Sequence, residues 1–577
     1  MNALLWCPDC NRETDNRQCE LCGQATRDDV SCEVFWCADC LTPVVRDPKT
    51  ETPDRCPLCG GEIAYLGSDL RPVFPEERLL VEILLGKPLC FKGKAVWACD
   101  NRYYIDGKAK AIALSKYAEA DVKSISAELK QHSEDTSDEA FDESIARFCA
   151  ANKGRFDKTT SEAMEFINDI SSDYPEENIV ISFSGGKDST AVADLVIRAL
   201  GNPTLVHVFG NTTLEFESTL EYANRYRNDN LLAIFKTAMN SEQDFYAVAD
   251  EIGPPARMMR WCCSMFKTGP ITRVFNGLYR NRDILTFYGI RKCESVTRSR
   301  YNRVEDDAES VKIQKQKVAS PIFFWRDIDV WLYILTRKLD FNHAYRLGYD
   351  RVGCWCCPNN NPRAQFLSSI YMSELSKEWR SFLVEFAKRI GKQDPEVYVD
   401  TGKWKARQGG NGLTAAKSVK LRYSNCATEE HAVVFSLDRP YSAELESYFC
   451  PIGKLAPELG RSLIRETVII DPATNTPALS IQPFVQSDYD NAIKIKVLDA
   501  TRETELLRMS KYQVTKYNAC RQCLKCESLC KYGAISIISG EYHIDPNRCR
   551  HCRQCVTDKY LEGGCLMRKY LRTKEST

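Results

Sequence analysis

The sequence predicts a multidomain α/β protein in which an α/β core is joined to small cysteine-rich domains. Three observations predict this class. The chain has 577 residues, more than a single hydrophobic core usually organises. Residues 179–200 read as an apolar strand, a Gly-rich turn and a helical pattern. The 28 cysteines fall into three sets, near the start, the middle and the end of the chain.

Overall charge and apolar content narrow the protein class. There are 78 Lys and Arg against 79 Asp and Glu, with 44% hydrophobic and 27% charged residues, as in ordinary globular proteins. No apolar run reaches the roughly 18 to 20 residues that cross a bilayer, and the first residues do not resemble an export signal. We therefore expect a cytoplasmic protein without a membrane partner, in which any site for a polyanion is local.

The first cysteine set predicts two zinc ribbons in residues 1–66. Each Cys-x-x-Cys pair aims two thiolates at one point, and two pairs complete a tetrahedral zinc site. The predicted ligands of the two Zn²⁺ ions are Cys7, Cys10, Cys19, Cys22, Cys37, Cys40, Cys56 and Cys59. Free or disulfide-bonded thiols are the alternative, and Cys32 is left over. With 6 basic and 12 acidic residues, this segment favours a structural or protein-docking role over phosphate binding.

Two connecting segments follow. Residues 67–115 contain short β-like runs such as KAVWACDNRYYIDGK, which predict a small β unit. Residues 116–172 are mostly polar and include SEDTSDE, so we expect a helical linker that contains a loop.

The turn SGGKDS at 184–189 predicts a phosphate-binding loop. Gly185 and Gly186 let the backbone approach an anion, and the helix that follows offers N–H groups and a favourable dipole. Ser184, Lys187 and Ser189 add further donors. The spacing is not GxxxxGK[ST], so this is not a Walker A loop. An ordinary strand-to-helix turn is the alternative.

Further motifs, in a consistent order, carry a resemblance to a known family. SGGKDS resembles the PP-loop of the ATP pyrophosphatases, while NTTLEFEST, RWCCSMFKTGP, GIRKCESVTRSR, DVWLYI and YRLGYDRVGCWCCP resemble the phosphoadenosine phosphosulfate (PAPS) reductase family. The resemblance implies a Rossmann-like parallel sheet over residues 173–370, with an adenine nucleotide at its carboxyl edge. It also implies ATP with Mg²⁺ as cofactor, and it adds Asp188, Thr190 and Asn211 to the nucleotide site.

The middle cysteines predict a metal centre beside the nucleotide. A tandem pair and a distant Cys-x-x-Cys resemble the cluster-binding pattern of the assimilatory adenylyl-sulfate reductases, and related cysteines occur in the DNA phosphorothioation enzyme DndC. The resemblance implies that Lys267 bridges cluster and substrate charge. Cys356 is a spare, either a replacement ligand or a sulfur-carrying thiol, and buried core cysteines are the alternative. The implied ligands of this 4Fe-4S cluster are Cys262, Cys263, Cys354 and Cys357.

The segment 257–303 is strongly basic, with 11 Lys or Arg and only two acids. Such an excess suits a phosphate-bearing ligand or a nucleic acid, and Trp261, Tyr288 and Tyr301 are available for stacking. The alternative is that some of these charges pair with acids elsewhere in the chain.

The last cysteine set has the CxxCxxCxxxC spacing of bacterial ferredoxins, in which the fourth cysteine reaches the other cluster. We expect an accessory α+β domain over 371–510 and a ferredoxin-like domain over 511–577. Two clusters there would form an electron relay fed by an external electron donor, whereas zinc binding is the alternative. One 4Fe-4S cluster would use Cys520, Cys523, Cys526 and Cys565, and the other Cys530, Cys549, Cys552 and Cys555.

The resemblance leaves two reactions open, and the loop favours one of them. The reductases of the family have usually lost the Lys and Asp of SGGKDS and carry a catalytic ECGLH-like motif, whereas this chain keeps Lys187 and Asp188 and lacks that motif. We therefore expect ATP-dependent adenylation of a nucleic-acid acceptor, tRNA or DNA, followed by transfer of sulfur from a donor such as a cysteine desulfurase. The acceptor and the α-phosphate would be organised by Arg291, Glu294, Ser295 and Arg298.

Two other functions remain open at this point. The first is reduction of adenylyl sulfate or PAPS to sulfite, which production of sulfite would identify. The second is a non-catalytic electron-transfer or nucleic-acid-binding subunit, which would bind nucleotide without turnover.

Overall fold

The chain folds into a mixed α/β architecture with a parallel-sheet core, as the sequence predicts. The computed structural model describes residues 5–7, 12–14, 16, 18–26, 32–46, 55–117, 120–136, 138–279, 282–295, 298–306, 315–485, 489–557, 561 and 563–573. Among the helices in these ranges, none combines the length and the apolar character needed to cross a bilayer.

The N-terminal segment consists of short antiparallel strands. Strands β1 (Leu5–Cys7) and β2 (Arg12–Thr14) pair with each other. A second sheet, in the order β4-β3-β5, is formed by β3 (Glu33–Cys37), β4 (Thr42–Arg46) and β5 (Ile63–Gly67). The buried side chain of Asn152 attaches this sheet to a later helix, because it accepts a hydrogen bond from the Val45 N–H at 2.7 Å and donates to the Pro43 carbonyl at 2.9 Å.

A four-stranded antiparallel sheet and four helices come next. The strands, in the order β6-β7-β8-β9, are β6 (Arg71–Pro72), β7 (Val96–Cys99), β8 (Arg102–Ile105) and β9 (Lys108–Ala111). The helices are α1 (Pro75–Leu84), α2 (Val122–Gln131), α3 (Glu139–Ala151) and α4 (Lys153–Ser171).

A buried ion network attaches α1 to the rest of the molecule. The fully buried Glu77 carboxylate accepts hydrogen bonds from Arg71 at 2.6 and 2.7 Å, from Arg363 at 2.6 Å and from the Tyr103 hydroxyl at 2.8 Å. Burial by itself would raise the pKa of Glu77, but the two guanidinium charges outweigh it and lower this pKa from 4.5 to about 2.

We expect Glu77→Gln to lower the free energy of unfolding by about 3 to 5 kcal/mol, because Arg71 and Arg363 lose their buried carboxylate and keep only the exposed Asp350 as a shared acidic partner. The folded-state pKa lies below the unfolded value of 4.5, so the wild-type contribution is present above that pH and is lost as the pH falls through about 2. Thermal unfolding midpoints near neutral pH measure the effect. Glu374→Gln, which removes an exposed partner of Lys377, is the control and should leave the midpoint unchanged. Equal midpoints for wild type and Glu77→Gln would contradict this expectation.

The core is a six-stranded sheet in the order β12-β11-β10-β13-β15-β14. Neighbouring strands are parallel except for β14 and β15. Alternate residues of β10 belong to different apolar clusters, Val180 to one and Ile181 to the other, because helices cover both faces of the sheet. The strands are β10 (Ile179–Phe183), β11 (Val206–Gly210), β12 (Ile234–Ala238), β13 (Ile284–Phe287), β14 (Val304–Glu305) and β15 (Gln316–Ala319).

The path of the chain fixes where a ligand would bind in this sheet. From β10 the chain moves outward through β11 to β12, and it then returns to β13 on the other side of β10. The carboxyl ends of β10 and β13 therefore flank the point where the strand order reverses, which is the usual ligand crevice of open α/β sheets. The helices of the core are α5 (Lys187–Leu200), α6 (Glu217–Asp229), α7 (Phe245–Ile252), α8 (Trp261–Cys263), α9 (Gly269–Leu278) and α10 (Asp327–Arg337).

Three helices lead from the core to an antiparallel sheet in the order β16-β17-β21-β20-β19-β18. These helices are α11 (Pro362–Tyr371), α12 (Ser373–Arg389) and α13 (Pro395–Asp400). The sheet and its helices comprise β16 (Tyr423–Asn425), β17 (Ala432–Ser436), α14 (Ala443–Ser447), β18 (Lys454–Ala456), β19 (Thr467–Ile470), β20 (Pro477–Pro483), β21 (Ala492–Val497) and α15 (Glu503–Ala519). Helix α15 runs across the domain boundary that the sequence places at residue 510.

The terminal unit packs on two neighbours. It contains α16 (Lys525–Leu529), a hairpin of β22 (Ile535–Ile538) and β23 (Glu541–Ile544), α17 (Gln554–Thr557) and α18 (Leu566–Leu571). Its hairpin shares an apolar cluster with the antiparallel sheet. Its helix α18 shares another cluster with Trp261 and Phe266 of the core. The terminal unit is therefore held against the core rather than tethered to it.

Candidate functional site

A tight loop at the carboxyl end of β10 opens helix α5. Gly185 has a φ of +70°, and a Cβ at this position would lie 2.9 Å from the Thr219 methyl carbon, so the turn requires glycine. Ser189 closes the loop, since its hydroxyl accepts a hydrogen bond from the Ser184 N–H at 3.1 Å and donates to the Gly186 carbonyl at 2.8 Å. The helix that starts here offers the N-terminal N–H groups and the dipole that favour a phosphate.

Two buried cations and two partly buried carboxylates form a network beside this loop. Lys187 Nζ lies 3.0 Å from Asp188 and 2.9 Å from Asp327, and Arg291 lies 2.5 and 2.9 Å from the same two carboxylates. Burial opposes each charge, but mutual attraction outweighs it, so the pKa values of Asp188 and Asp327 are lowered and that of Lys187 is raised. The network therefore keeps two cations and two carboxylates charged at the ligand crevice.

A carboxylate from outside the core supports the network. Asp69 accepts hydrogen bonds from the N–H of Asp327 at 3.1 Å and from that of Ile328 at 3.0 Å, at the start of α10. Burial, and then the charge of Asp327, raise the pKa of Asp69 to about 6. The sequence reasoning missed both aspartates. Asp327 lies two residues before the DVWLYI motif, which could have indicated it, whereas nothing in the sequence connects Asp69 with α10.

Glu294, Ser295 and Arg298 lie next to Arg291. The Arg291 N–H donates to Glu294 at 3.4 Å, Arg298 pairs closely with Glu294, and the Arg298 N–H donates to the Ser295 hydroxyl at 3.2 Å. Burial, and then the positive charge of Arg351, lower the pKa of Arg298. Arg351 also lies 4.0 Å from Glu294 and is 66% exposed at its side chain, so it adds a charge that the sequence reasoning did not single out.

The loop after β11 connects the nucleotide edge with the middle cysteines. The side chain of Asn211 accepts a hydrogen bond from the Thr213 N–H at 2.8 Å. The next residue, Thr212, donates to Glu215 at 2.8 Å and lies 3.4 Å from the Cys354 sulfur. The nucleotide edge and these cysteines are therefore neighbours.

The structure brings the middle cysteines together. Cys262 and Cys263 form the end of α8, which continues into a π-helical turn, Ser264–Thr268, a feature frequent at functional sites. A hydrogen bond to Cys263, then burial and the charges of Cys263 and Cys354, raise the pKa of Cys262. Burial, and then the charge of Glu215, raise the pKa of Cys354 to about 12, and Cys357 adds to this effect.

Positive side chains accompany these thiols. The hydrogen bond from Cys262, with the charges of Arg260 and Lys267, lowers the pKa of Cys263 to about 5 although burial opposes it. Arg260 donates to the Cys263 sulfur at 3.4 Å, a contact the sequence reasoning missed. Cys356 is 5% exposed, and burial keeps its pKa well above the ordinary value. Cys263 is therefore flanked by cations, whereas Cys356 lies in the apolar core.

The eight cysteines of the terminal unit form two adjacent groups. After burial, the charges of Cys526, Cys565 and Cys520 raise the pKa of Cys523, and all four cysteines of the second group line one cavity. We name the first group the proximal cysteines, which are Cys520, Cys523, Cys526 and Cys565. We name the second group the distal cysteines, which are Cys530, Cys549, Cys552 and Cys555.

A buried lysine lies between the two groups. Lys516 is 1% exposed, and its Nζ donates to the Cys555 carbonyl at 3.1 Å and to the Tyr542 hydroxyl at 3.2 Å. Burial opposes its charge, but the charges of Cys526, Cys555 and Cys565 raise the pKa of Lys516. Backbone N–H groups also donate to Cys530 at 3.3 Å and to Cys565 at 3.4 Å. These donors fit thiolates that hold anionic iron-sulfur clusters.

The N-terminal cysteines are grouped more tightly. The sulfurs of Cys37, Cys40, Cys56 and Cys59 lie within 4.8 Å of one another, as do those of Cys7, Cys19 and Cys22, and both groups could hold a metal ion. Cys10 lies outside the described residues. Within those residues the middle and terminal cysteines do not gather this closely.

Much of the basic excess in 257–303 is paired inside the molecule. Arg273 pairs with Glu527 at 3.0 Å and Glu242 at 3.3 Å, and Arg303 pairs closely with Glu162. Arg291 and Arg298 have the acidic partners described above. The local charge that would face a polyanion is therefore smaller than the sequence count suggests.

The Gly-rich loop and the Lys187-Asp188 pair open helix α5 at the point where the strand order of the parallel sheet reverses. This arrangement is typical of α/β domains that bind nucleotides. Residues 178–360, about a third of the chain, match the family model of the phosphoadenosine phosphosulfate reductase domain, so the chain contains a domain of that family. This finding confirms the resemblance that the sequence motifs indicate.

Individual relatives are similar over part of their length. The uncharacterized protein MJ0066 of Methanocaldococcus jannaschii is 31% identical over 274 residues, 48% of this chain and 54% of that protein. An adenosine 5'-phosphosulfate reductase of Staphylococcus epidermidis is 25% identical over 190 residues, 32% of this chain and 71% of that enzyme. The PAPS reductase of Candida auris in a phosphate complex aligns with a TM-score of 0.28 and 15% identity over 35% of this chain and 95% of its own. The region that matches this chain covers only about half the length of the Methanocaldococcus jannaschii protein.

Proposed function

We propose that this protein uses ATP to adenylate a nucleic-acid acceptor, tRNA or DNA, and directs sulfur transfer to the adenylated position. The observation that carries the proposal is the charged network of Lys187, Asp188, Arg291 and Asp327 at the phosphate loop, in which both cations are buried. Sulfonucleotide reduction starts from an activated sulfate and needs no pyrophosphate release, whereas cleavage of ATP at the α-phosphate needs cations where pyrophosphate departs.

The loop and the network have separate roles in ATP cleavage, phosphate binding and stabilisation of developing charge. The N–H groups at the start of α5 bind the phosphates, and Lys187 and Arg291 stabilise the charge that develops on the departing pyrophosphate. Asp188 and Asp327 would hold Mg²⁺, which when bound neutralises phosphate charge. An acceptor oxygen attacks the α-phosphorus, the bond from this phosphorus to the bridging oxygen breaks, and pyrophosphate leaves with the electron pair.

The second half of the reaction uses the side chains around the α-phosphate and the cysteines. Arg298 and Glu294 orient the acceptor, and the exposed Arg351 attracts its phosphates. A sulfur nucleophile then attacks the acceptor carbon or phosphorus that bears the adenylated oxygen. The bond from this atom to the oxygen breaks, and AMP leaves with the electron pair. The 4Fe-4S cluster proposed on Cys262, Cys263, Cys354 and Cys357 would supply the site that binds or delivers sulfur. Arg260 and Lys267 balance the thiolate charge there.

The cysteine-rich ends complete the proposal. The proximal and distal cysteines would hold two 4Fe-4S clusters, which keep the core centre in the required redox state with electrons from an external donor. The two N-terminal groups would hold one Zn²⁺ each in a structural or docking role. A cysteine desulfurase is the sulfur donor proposed, and the cytoplasm is the location proposed, because reduced thiolates and iron-sulfur clusters persist there.

Release of AMP and pyrophosphate is expected to depend on nucleic acid. Anaerobically prepared protein would be incubated with labelled ATP, Mg²⁺ and either pooled tRNA or DNA, and both products measured. Release with tRNA alone or with DNA alone would identify the acceptor class. Release that is equally fast without any nucleic acid would contradict the proposed acceptor.

Reduction of adenylyl sulfate or PAPS is a second candidate, favoured by the similarity to the adenosine 5'-phosphosulfate reductases. The same preparation, reduced and supplied with either sulfonucleotide, would then form sulfite. Formation of sulfite without pyrophosphate release from ATP would replace the first proposal by this one.

A further inference from the structure

The two cysteine groups of the terminal unit differ in their access to solvent. Among the proximal cysteines, Cys523, Cys526 and Cys565 are only 8%, 8% and 5% exposed. Among the distal cysteines, Cys552 is exposed and Cys549 is partly exposed. A partner protein can therefore approach the distal group directly.

The proximal group is covered by the core domain. Glu527, which follows Cys526, pairs with Arg273 of α9 at 3.0 Å, and a Cβ at Gly269 of the same helix would collide with Leu524. Tyr570 of α18 hydrogen-bonds to the backbone of Arg260. Burial, and then the charges of Cys523 on one side and of Cys263 and Cys262 on the other, raise the pKa of Tyr570 to about 12. The side of the terminal unit that carries the proximal cysteines therefore faces the core cysteines.

Unpaired positive charge surrounds the exposed group. Tyr532 and Arg550 line the same cavity as the distal cysteines, and Lys531 lies between Cys530 and Tyr532 in sequence. Lys531 and Arg550 are both exposed, and within the described ranges neither forms an ion pair, whereas Arg548 pairs with Asp545 and Arg553 pairs with Asp471 and Glu505. Tyr532 is 43% exposed. We name Lys531, Tyr532, Arg550 and Cys552 the distal face.

We infer that the distal face is the docking surface of an acidic one-electron carrier protein. The whole chain has a net charge of −1, so it has no global field that would attract such a carrier, and local cations must supply the attraction. An exposed aromatic ring flanked by unpaired cations and next to a thiolate-held centre is suited to a small, transient, charge-steered interface. The inference rests on the proposed function for the presence of four-iron centres on these cysteines.

The proposed reaction at this surface is the transfer of one electron from the carrier to the protein. The reduced carrier would lose one electron and be oxidised, and a four-iron cluster held by the distal cysteines would accept that electron. No covalent bond forms or breaks, and no proton needs to move.

The test uses the iron-loaded full-length protein and reduced flavodoxin, an acidic one-electron carrier, as the probe. Stopped-flow absorbance would measure the second-order rate constant of reduction at low and at high salt, without ATP or nucleic acid. We expect the wild-type rate constant to fall with salt, and the double variant Lys531→Glu/Arg550→Glu to react at least about tenfold more slowly at low salt. The control, Lys123→Glu/Lys130→Glu, changes the same charge on two exposed lysines of α2 and should react like wild type.

Two further measurements keep the result interpretable. Dithionite, which needs no docking surface, should reduce wild type and both variants alike, and iron content should be equal. If the double variant loses iron, the inference is tested instead with the single variants Lys531→Gln and Arg550→Gln and with the salt dependence of the wild-type rate constant. A wild-type rate without salt dependence, or equal rates for the distal-face and α2 variants, would overturn the inference. Because ATP is absent, this outcome is independent of whether the protein adenylates an acceptor.

Discussion

Replacement of Lys187 by Ala is expected to slow pyrophosphate release by about 10²- to 10³-fold. The Lys187 ammonium is 2% exposed and directly contacts Asp188 and Asp327, so no solvent cation can substitute for it when negative charge develops on the leaving group. Single-turnover release of labelled pyrophosphate from ATP, with nucleic acid present, measures the effect. Lys236→Ala, an exposed lysine on strand β12 of the same sheet, is the control and should retain the wild-type rate.

A second variant separates chemistry from folding. Lys187→Ala leaves two partly buried carboxylates short of one cation, which also destabilises the fold. The double variant Lys187→Met/Asp327→Asn removes one charge of each sign, so its thermal midpoint should recover while pyrophosphate release stays slow. Pyrophosphate release at the wild-type rate by either variant would show that the loop does not act on ATP as proposed.

Replacement of Cys354 by Ser is expected to remove the core cluster, about four of the twelve or so irons that three 4Fe-4S clusters would contain. Cys354 lies 3.4 Å from the Thr212 hydroxyl and shares its electrostatic environment with Cys262 and Cys357. Sulfur transfer should be lost, while pyrophosphate release should persist because the phosphate loop is untouched. Metal and sulfide analysis with Mössbauer spectroscopy would measure the loss.

Cys356→Ser provides a matched control two residues away. The Cys356 thiol is 5% exposed and belongs to the apolar core cluster, so it serves packing in this account and the variant should keep its iron. Loss of iron from Cys356→Ser with retention in Cys354→Ser would mean that Cys356 is the ligand.

The sequence was informative wherever the chemistry is local. The SGGKDS motif predicts the loop because Gly185 needs a positive φ and Ser189 closes the turn within the motif itself. The parallel-sheet core follows from the strand and helix pattern and from the family motifs, and the structure confirms it. The cysteine groups follow from short spacings, since two thiols two residues apart point at one centre.

Features that depend on distant contacts could not be predicted. Asp69 supports the charged network at the phosphate loop from a segment that the sequence assigns only to a small β unit. Its contact with α10 joins residues more than 250 positions apart. The basic stretch 257–303 suggests a polyanion surface in the sequence, but Arg273 and Arg303 form ion pairs with acidic residues in other segments. The packing of the terminal unit on α9 likewise depends on tertiary contacts such as Arg273 with Glu527, for which spacing gives no signal.

Trapping of the adenylated acceptor tests the central claim most directly. The protein would be mixed with nucleic acid, Mg²⁺ and ATP labelled at either the α- or the γ-phosphate, without a sulfur donor, and the nucleic acid would be purified under denaturing conditions. The account predicts label on the nucleic acid from the α-phosphate only, absent with Lys187→Ala, and released as AMP when sulfide is added. Bound ATP without covalent label on tRNA or DNA, or label from the γ-phosphate, would contradict it.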